Sequence, residues 1–180
     1  MDNSLKAVLQ ADQISSKIID SFTRELVSLV GVDHVSTNQA DLLAAGRDYW
    51  PVGSLLMLEG KVPALPQVVV WPGSTEEVAK ILALASRNKI PVTPFGEGSG
   101  ALGGAVPLYG GLTLDLKRMN KILDLDEKSM LVKVEAGLNG SHYEDYLNRA
   151  GYTGGHFPQS LHCSSVGGWL ACRAAGQFST

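Results

Sequence analysis

Pro94-Phe95-Gly96-Glu97-Gly98-Ser99-Gly100-Ala101-Leu102-Gly103-Gly104 is the stretch on which the fold turns. It follows Pro91–Phe95, a short run that reads as a strand, and it holds five of the chain's 20 glycines. Residues without a Cβ let the backbone come close to a ligand. They also let successive N–H groups face one concavity, which suits a phosphate. Gly98 to Gly103 satisfies G-x-G-x-x-G, a pattern that in dinucleotide-binding folds opens a helix pointing at the pyrophosphate. Here the continuation is Ala105-Val106-Pro107-Leu108-Tyr109-Gly110-Gly111. Two glycines and a proline disfavour a helix there, and a strand comes next. That argues against a nicotinamide-dependent dehydrogenase, and the lack of Gly-Lys-Ser/Thr excludes a P-loop. Phosphate binding would rest on nest geometry alone, without a helix dipole. The plainer alternative is a mobile surface loop, and the loop by itself does not choose between them.

On the N-terminal side, Val68–Trp71 reads as a buried strand and Pro72-Gly73 as a turn. Ser74 and Glu77 form a capping box for a helix ending near Asn88, with Val78, Ile81, Leu82 and Ala85 at i, i+3, i+4, i+7 as its core face. With Pro91–Phe95 this is a β–α–β unit. Residues 47–66, with Pro51, Pro63 and Pro66, read as an irregular connector. Before them, Ser36 and Gln39 suggest a capping box for a short helix through Ala45, ended by Gly46. The first ~30 residues read as a helix with Ile18, Ile19, Phe22, Leu26, Leu29 and Val30 in one apolar stripe, stopped by Gly31.

On the C-terminal side, Leu112, Leu114 and Leu116 alternate with Thr113 and Asp115. A strand near Lys121–Leu125, a turn at Asp126–Ser129 and a return at Met130–Val134 make a hairpin. Asn139–Arg149 reads as a helix closed by Gly151. A second glycine-rich stretch then leads into a small-residue helix, Val166–Ala175.

That second stretch, Gly154-Gly155-His156-Phe157-Pro158-Gln159-Ser160-Leu161-His162-Cys163-Ser164-Ser165-Val166-Gly167-Gly168-Trp169, mixes small residues, hydroxyls and amides with almost no charge. It could run along a polar, uncharged ligand, with Ser160, Ser164 and Ser165 offering hydroxyls. It could equally be a loop that needs small residues for tight packing. His156, His162, Cys163 and Cys172 invite a zinc reading, but there is no C-x-x-C pair and the spacing does not support a metal site. Nothing in the sequence sets a cysteine nucleophile against a histidine base. Cys172, beside alanines, reads as a small core residue. His34 and His142 read as surface residues.

Composition bounds the rest. Of 180 residues, 44% are hydrophobic and 18% charged, which is an ordinary globular balance, and the net charge is −3. A weakly acidic chain has no electrostatic footprint for nucleic acid or an anionic membrane surface. Its apolar runs are too short for a transmembrane segment, and no secretory signal is visible. Two cysteines make no disulfide framework. A cytoplasmic location is the default reading.

In order and spacing these motifs resemble the FAD-binding domain shared by vanillyl-alcohol oxidase, D-lactate dehydrogenase, the glycolate oxidase catalytic subunit and p-cresol methylhydroxylase. The matching run is Pro66–Trp71, Pro72 to Val78, Ile90-Pro91-Val92-Thr93-Pro94 and the glycine loop. Gly111–Leu116, Met119-Asn120-Lys121-Ile122, Val134-Glu135-Ala136-Gly137 and Gly155–Gly168 follow. Arg47-Asp48-Tyr49-Trp50-Pro51 and Gly155 to Ser160, leading into Ser165 to Trp169, are most similar to alkyldihydroxyacetonephosphate synthase and its bacterial relatives.

The resemblance implies an α+β fold: a small β–α–β subdomain beside a mixed α/β subdomain, with FAD between them, incomplete at the C-terminus. Residues 1–65 would be an N-terminal helical segment and connector, and 66–180 the FAD-binding domain, with the substrate (cap) domain absent. It implies that Pro94, Phe95, Gly96, Glu97, Gly98, Ser99 and Gly100, with Gly103 and Gly104 close by, hold the FAD pyrophosphate. Pro158, Gln159, Ser160, Leu161, His162, Cys163 and Ser164 would line the flavin and its ribityl chain. After Gly167 and Gly168, Ala171, Cys172, Arg173 and Ala174 would do the same. The glycine loop lacks the histidine that many covalent-flavin members carry, so non-covalent FAD is expected. Glu97 and Gly100 depart from the Gly and Ser or Thr of many members, and a carboxylate beside a pyrophosphate repels it unless it points outward. The implied activity is flavin oxidoreduction of a small-molecule substrate, a hydroxy acid or an alkylglycerone-phosphate-type compound. No catalytic residue is assigned, and the 180-residue chain alone is expected to be inactive. The alternative class is a non-catalytic truncated remnant. A homodimer is compatible with all of this.

Overall fold

The computed structural model describes residues 14–179. Its first element is α1 (Ser16–Val30), which buries Ile19, Phe22, Leu26 and Val30. These positions repeat at helical spacing and define the inner face. Ile18 belongs to the expected stripe but lies off that face and is exposed. The part of the expected helix before residue 14 lies outside the described residues.

After the strand β1 (Val35–Ser36) comes α2 (Gln39–Ala44). Its cap is Asn38, whose Oδ1 accepts the Ala40 N–H at 2.9 Å, and not the expected Ser36. Ser36 stands further out, where its Oγ accepts from Asn38 N and donates to Asp41 Oδ2. The expected irregular connector contains a helix, α3 (Pro51–Leu58). Pro51 sits in its first turn, where a missing N–H costs nothing and a fixed φ helps. Reading that proline as a breaker hid the helix.

The core is a four-stranded sheet in the order β1-β2-β4-β3, with β2 (Val68–Val70), β3 (Val92–Phe95) and β4 (Leu112–Asp115). β1 runs antiparallel to β2, whereas β2, β4 and β3 are parallel, Val68 and Val92 both pairing with Leu112. The expected strand–helix–strand unit is present, with α4 (Thr75–Asn88) as its helix, but β4 is inserted between its two strands. All four residues of β4 are buried, so its alternation of leucine with Thr113 and Asp115 marks two covered faces. Val68, Val70, Leu112 and Leu114 pack against Phe22 and Leu26 of α1 and Ile81, Leu84 and Ala85 of α4. Leu82, expected in that stripe, is exposed, and Leu84 takes the core position.

The capping of α4 is as the sequence suggests. Ser74 Oγ accepts from Glu77 N at 3.2 Å, and Glu77 reaches back to the Gly73 N–H at 2.7 Å. Parallel neighbours need a long crossover. Between β3 and β4 that crossover is residues 96–111, the glycine loop and its continuation, with no helix in it.

The second part holds the expected hairpin, β5 (Ile122–Asp126) and β6 (Leu131–Val134), antiparallel with an irregularity between Ile122 and Asp124. Asp126 makes its turn, accepting from the N–H groups of Lys128 and Ser129. Next come α5 (Gly140–Arg149), capped by Asn139, and α6 (Val166–Cys172), capped by Ser165. The last helix ends before the expected Ala175, because Arg173 turns to φ +51° and Ala174 N–H closes onto Trp169 O. Cys172 is therefore the final helical residue, and it is exposed, not the core residue its alanine neighbours suggested.

Candidate functional site

The glycine loop leaves the sheet at the carboxyl end of β3, the side where open α/β sheets place ligands. Its starting point is held firmly. Phe95 is buried, and Lys117 Nζ lies 5.1 Å from its ring centroid. Lys117 Nζ is also 3.0 Å from Asp115, whose carboxylate accepts the Trp71 indole N–H at 2.9 Å. From Gly96 to Gly104 the backbone N–H groups donate to no acceptor among the described residues. Residues 96–99 are only partly exposed, so these donors are unspent in a place water reaches incompletely. Unpaired backbone donors in a loop are what an anion requires.

A second segment runs along the loop. Tyr49 N–H donates to Gly100 O at 2.8 Å, and Ala105 N–H reaches Asp48 Oδ2 at 3.5 Å. A Cβ on Gly103 would stand 3.3 Å from the Trp50 indole, and one on Gly98 would stand 3.3 Å from Arg47 O. Residues 47–50 therefore strap the loop from one side. They served in the sequence only as a mark of resemblance. The one local signal was the density of charged and aromatic residues just before Pro51.

The glycines of the loop differ in what demands them. A Cβ on Gly96 would run into Ser165 Oγ. Gly98 and Gly103 have φ of +68° and +80°, which L side chains resist. Gly100 and Gly104 face no such demand. A Cβ on Gly100 would make only an ordinary contact, 3.5 Å from Asp48 Oδ2, and one on Gly104 would meet nothing within 4 Å. Neither has a positive φ. The fold does not require glycine at these two positions.

The approach of Gly96 to Ser165 brings the two glycine-rich stretches together. The second is tied to residues 136–140 by backbone bonds: Gly140 N–H to Ser164 O, Val166 N–H to Leu138 O and Gly167 N–H to Ala136 O, all near 2.9 Å. Ser164 Oγ donates to Ser160 O and accepts from Trp169 Nε1, each at 2.6 Å, so this hydroxyl is committed to the fold. Ser165 Oγ caps Gly168 N. Gly154 packs on Tyr143, and Gly167 on Ala136. Burial pushes the Tyr143 phenol up, and Glu144 adds to it.

Pro158 is buried, while Ser160, Leu161 and Ala174 are half-buried. Gln159, His162, Cys163, Ala171, Cys172 and Arg173 are exposed and available to a ligand. His162 Nδ1 lies 2.7 Å from Ser141 Oγ. The His156 ring lies tilted against Trp169, centroids 5.0 Å apart, and its buried Nε2 has no hydrogen-bond partner among the described residues. Among the described residues no three His, Cys, Asp or Glu side chains gather as a metal site would need. Both cysteines are free.

A cleft of about 380 Å³ lies between α1 and α4 around Glu25, Leu29, Lys80 and Arg87, and shares no residue with either glycine stretch. No helix among the described residues is long and apolar enough to cross a membrane.

Comparison with known proteins fits this arrangement. A family model described as FAD binding domain matches residues 66–180. Alkyldihydroxyacetonephosphate synthase of Caenorhabditis elegans is 30% identical over 177 residues, covering 94% of this chain and 30% of that protein. Glycolate oxidase subunit GlcD of Bacillus subtilis is 28% identical, covering 80% of this chain and 29% of its own length. A solved structure of alkyldihydroxyacetonephosphate synthase superposes with a TM-score of 0.83 at 28% identity, over 92% of this chain and 33% of that one. The chain thus spans about 30% of the length of the curated relatives it matches.

Proposed function

The chain belongs to the FAD-binding domain family, and on that premise we propose that its glycine loop, residues 96–104, takes the FAD pyrophosphate on backbone N–H groups. The carrying observation is the run of unspent donors from Gly96 to Gly104, laid at the carboxyl end of a parallel sheet. Gly100 and Gly104, which the fold leaves free to carry side chains, support the same reading. The exposed rim of the second stretch, Gln159, His162 and Cys163 with Ala171, Cys172 and Arg173, would then follow the ribityl chain and flavin. Its contact with the loop through Ser165 gives one continuous track.

The loop has no histidine, and the cofactor is proposed to be held without a covalent link. Bound there, FAD supplies two-electron redox chemistry at the flavin ring. The chain's own residues bind and orient it: the loop by N–H donation, the strap 47–50 by fixing the loop's shape. The activity of the whole protein is proposed to be oxidoreduction of a small hydroxy acid or an alkylglycerone-phosphate-type substrate. The relatives named above carry the first of these as glycolate oxidase and the second as the synthase. Two exposed free thiols fit a reducing, cytoplasmic setting.

Gly100→Ala tests the loop assignment. The methyl group fits the protein as it stands but would hold a phosphate off the donors. Fluorescence-quenching titration of FAD into the longest expressible form of the protein should show the Kd raised about tenfold, or about 1.4 kcal/mol. Unchanged affinity would remove the loop from the site.

A further inference from the structure

Resting on the FAD reading, we propose that Arg47 is the cation that neutralises the pyrophosphate at the glycine loop. The loop is short of positive charge. Residues 94–104 contain no lysine, arginine or histidine, and they contain Glu97. Asp48 brings a second carboxylate, its Oδ2 standing 3.5 Å from the Cβ position of Gly100. No helix opens from the loop, so no helix dipole offsets these charges. A diphosphate placed on the bare N–H groups would have the Asp48 carboxylate beside it and Glu97 in the same loop, and donors alone do not cancel that repulsion.

The cations close by divide into committed and uncommitted. Lys117, over Phe95 at the loop's root, is paired with Asp115 at 3.0 Å. Arg118 donates to Trp71 O and lies 4.0 Å from Glu77. Arg47 is different. It is exposed and has no hydrogen bond or ion pair among the described residues, and its own carbonyl lies against Gly98. Its neighbour Tyr49 is bonded to Gly100, so the backbone that carries Arg47 is fixed relative to the loop. A guanidinium is always charged, is weakly hydrated for its charge, and matches phosphate oxygens two at a time. Such a side chain, anchored beside the loop and left unpaired by the protein, supplies the charge that the loop lacks.

The test compares FAD with riboflavin, which has the same ring and ribityl chain but no phosphate. Kd values for both are measured by fluorescence quenching at low and high salt, for wild type, Arg47→Ala and Arg47→Lys in the longest expressible form. Arg47→Ala should weaken FAD about tenfold at low salt, flatten its salt dependence and leave riboflavin unchanged. Arg47→Lys should fall between. Equal FAD affinity in wild type and Arg47→Ala overturns the role of Arg47 and leaves the loop assignment standing. Equal weakening of FAD and riboflavin also overturns it, because a loosened loop would act on both. A wild type that binds no FAD removes the underlying reading itself. Arg47 is exposed and unpaired, so a thermal melt of each variant should match wild type and certify the comparison.

Discussion

A Cβ on Gly98 would stand 2.8 Å from Phe95 Cζ at a φ of +68°, whereas one on Gly100, two positions on, would meet only Asp48 Oδ2 at 3.5 Å. The two glycines look identical in the sequence and differ in what they do. Gly98 shapes the loop and Gly100 leaves it bare. Gly98→Ala should therefore destabilise the protein with no ligand present, by about 1–2 kcal/mol for the left-handed conformation alone, and more because Phe95 must give way. Gly100→Ala should stay within about 0.5 kcal/mol of wild type. Urea denaturation of the two variants side by side reads the difference. Equal losses would mean that the loop's glycines serve the fold alike. A valine at position 98 would confuse the two effects, which makes Gly100 the position at which ligand binding can be read separately from folding.

Among elements, α4 shows both what local pattern reveals and where it fails. Ser74 and Glu77 close its first turn as a capping box should, because capping is a matter of neighbours in the chain. Its core face was misplaced by a fraction of a turn: Leu82 and Leu84 are both apolar, and only the direction of the sheet selects between them. Leu84→Ala should cost about 2–5 kcal/mol through a cavity, and Leu82→Ala should stay within about 0.5 kcal/mol. Chemical denaturation that reversed this order would turn the helix on its axis.

The hairpin β5–β6, α1 and the starting points of α5 and α6 were legible for the same local reason. α3 was not, since Pro51 reads as a breaker until it is known to occupy the first turn. The site was legible in part. The glycine run and its missing helix stand in the sequence, but the strap of Arg47, Asp48, Tyr49 and Trp50 meets the loop across some fifty residues of chain. No spacing rule reaches that far. Ser164 illustrates the converse: a hydroxyl that looked free for a ligand is held by Trp169 and Ser160.

For the whole molecule, the decisive feature is the strand order. β4 enters between β2 and β3, so the chain must return from the carboxyl end of β3 to the start of β4, and it does so by the glycine loop in place of a helix. That choice puts bare backbone, with unspent N–H groups, at the edge of the sheet where a ligand can reach it. The second glycine stretch, locked to α5 by Gly140 and Asn139, meets it there through Ser165. Sequence order specifies none of this, because strands adjacent in the chain need not be adjacent in the sheet.

If the loop is a diphosphate cradle, it should recognise the pyrophosphate half of FAD by itself, even weakly. Nitrogen-15 amide NMR of the 180-residue chain, titrated with ADP and separately with adenosine, measures this directly. The resonances of Gly96 to Gly104 should move saturably with ADP and stay in place with adenosine. Loop resonances that ignore ADP, or that move equally with adenosine, would show that these donors are not where the phosphates bind.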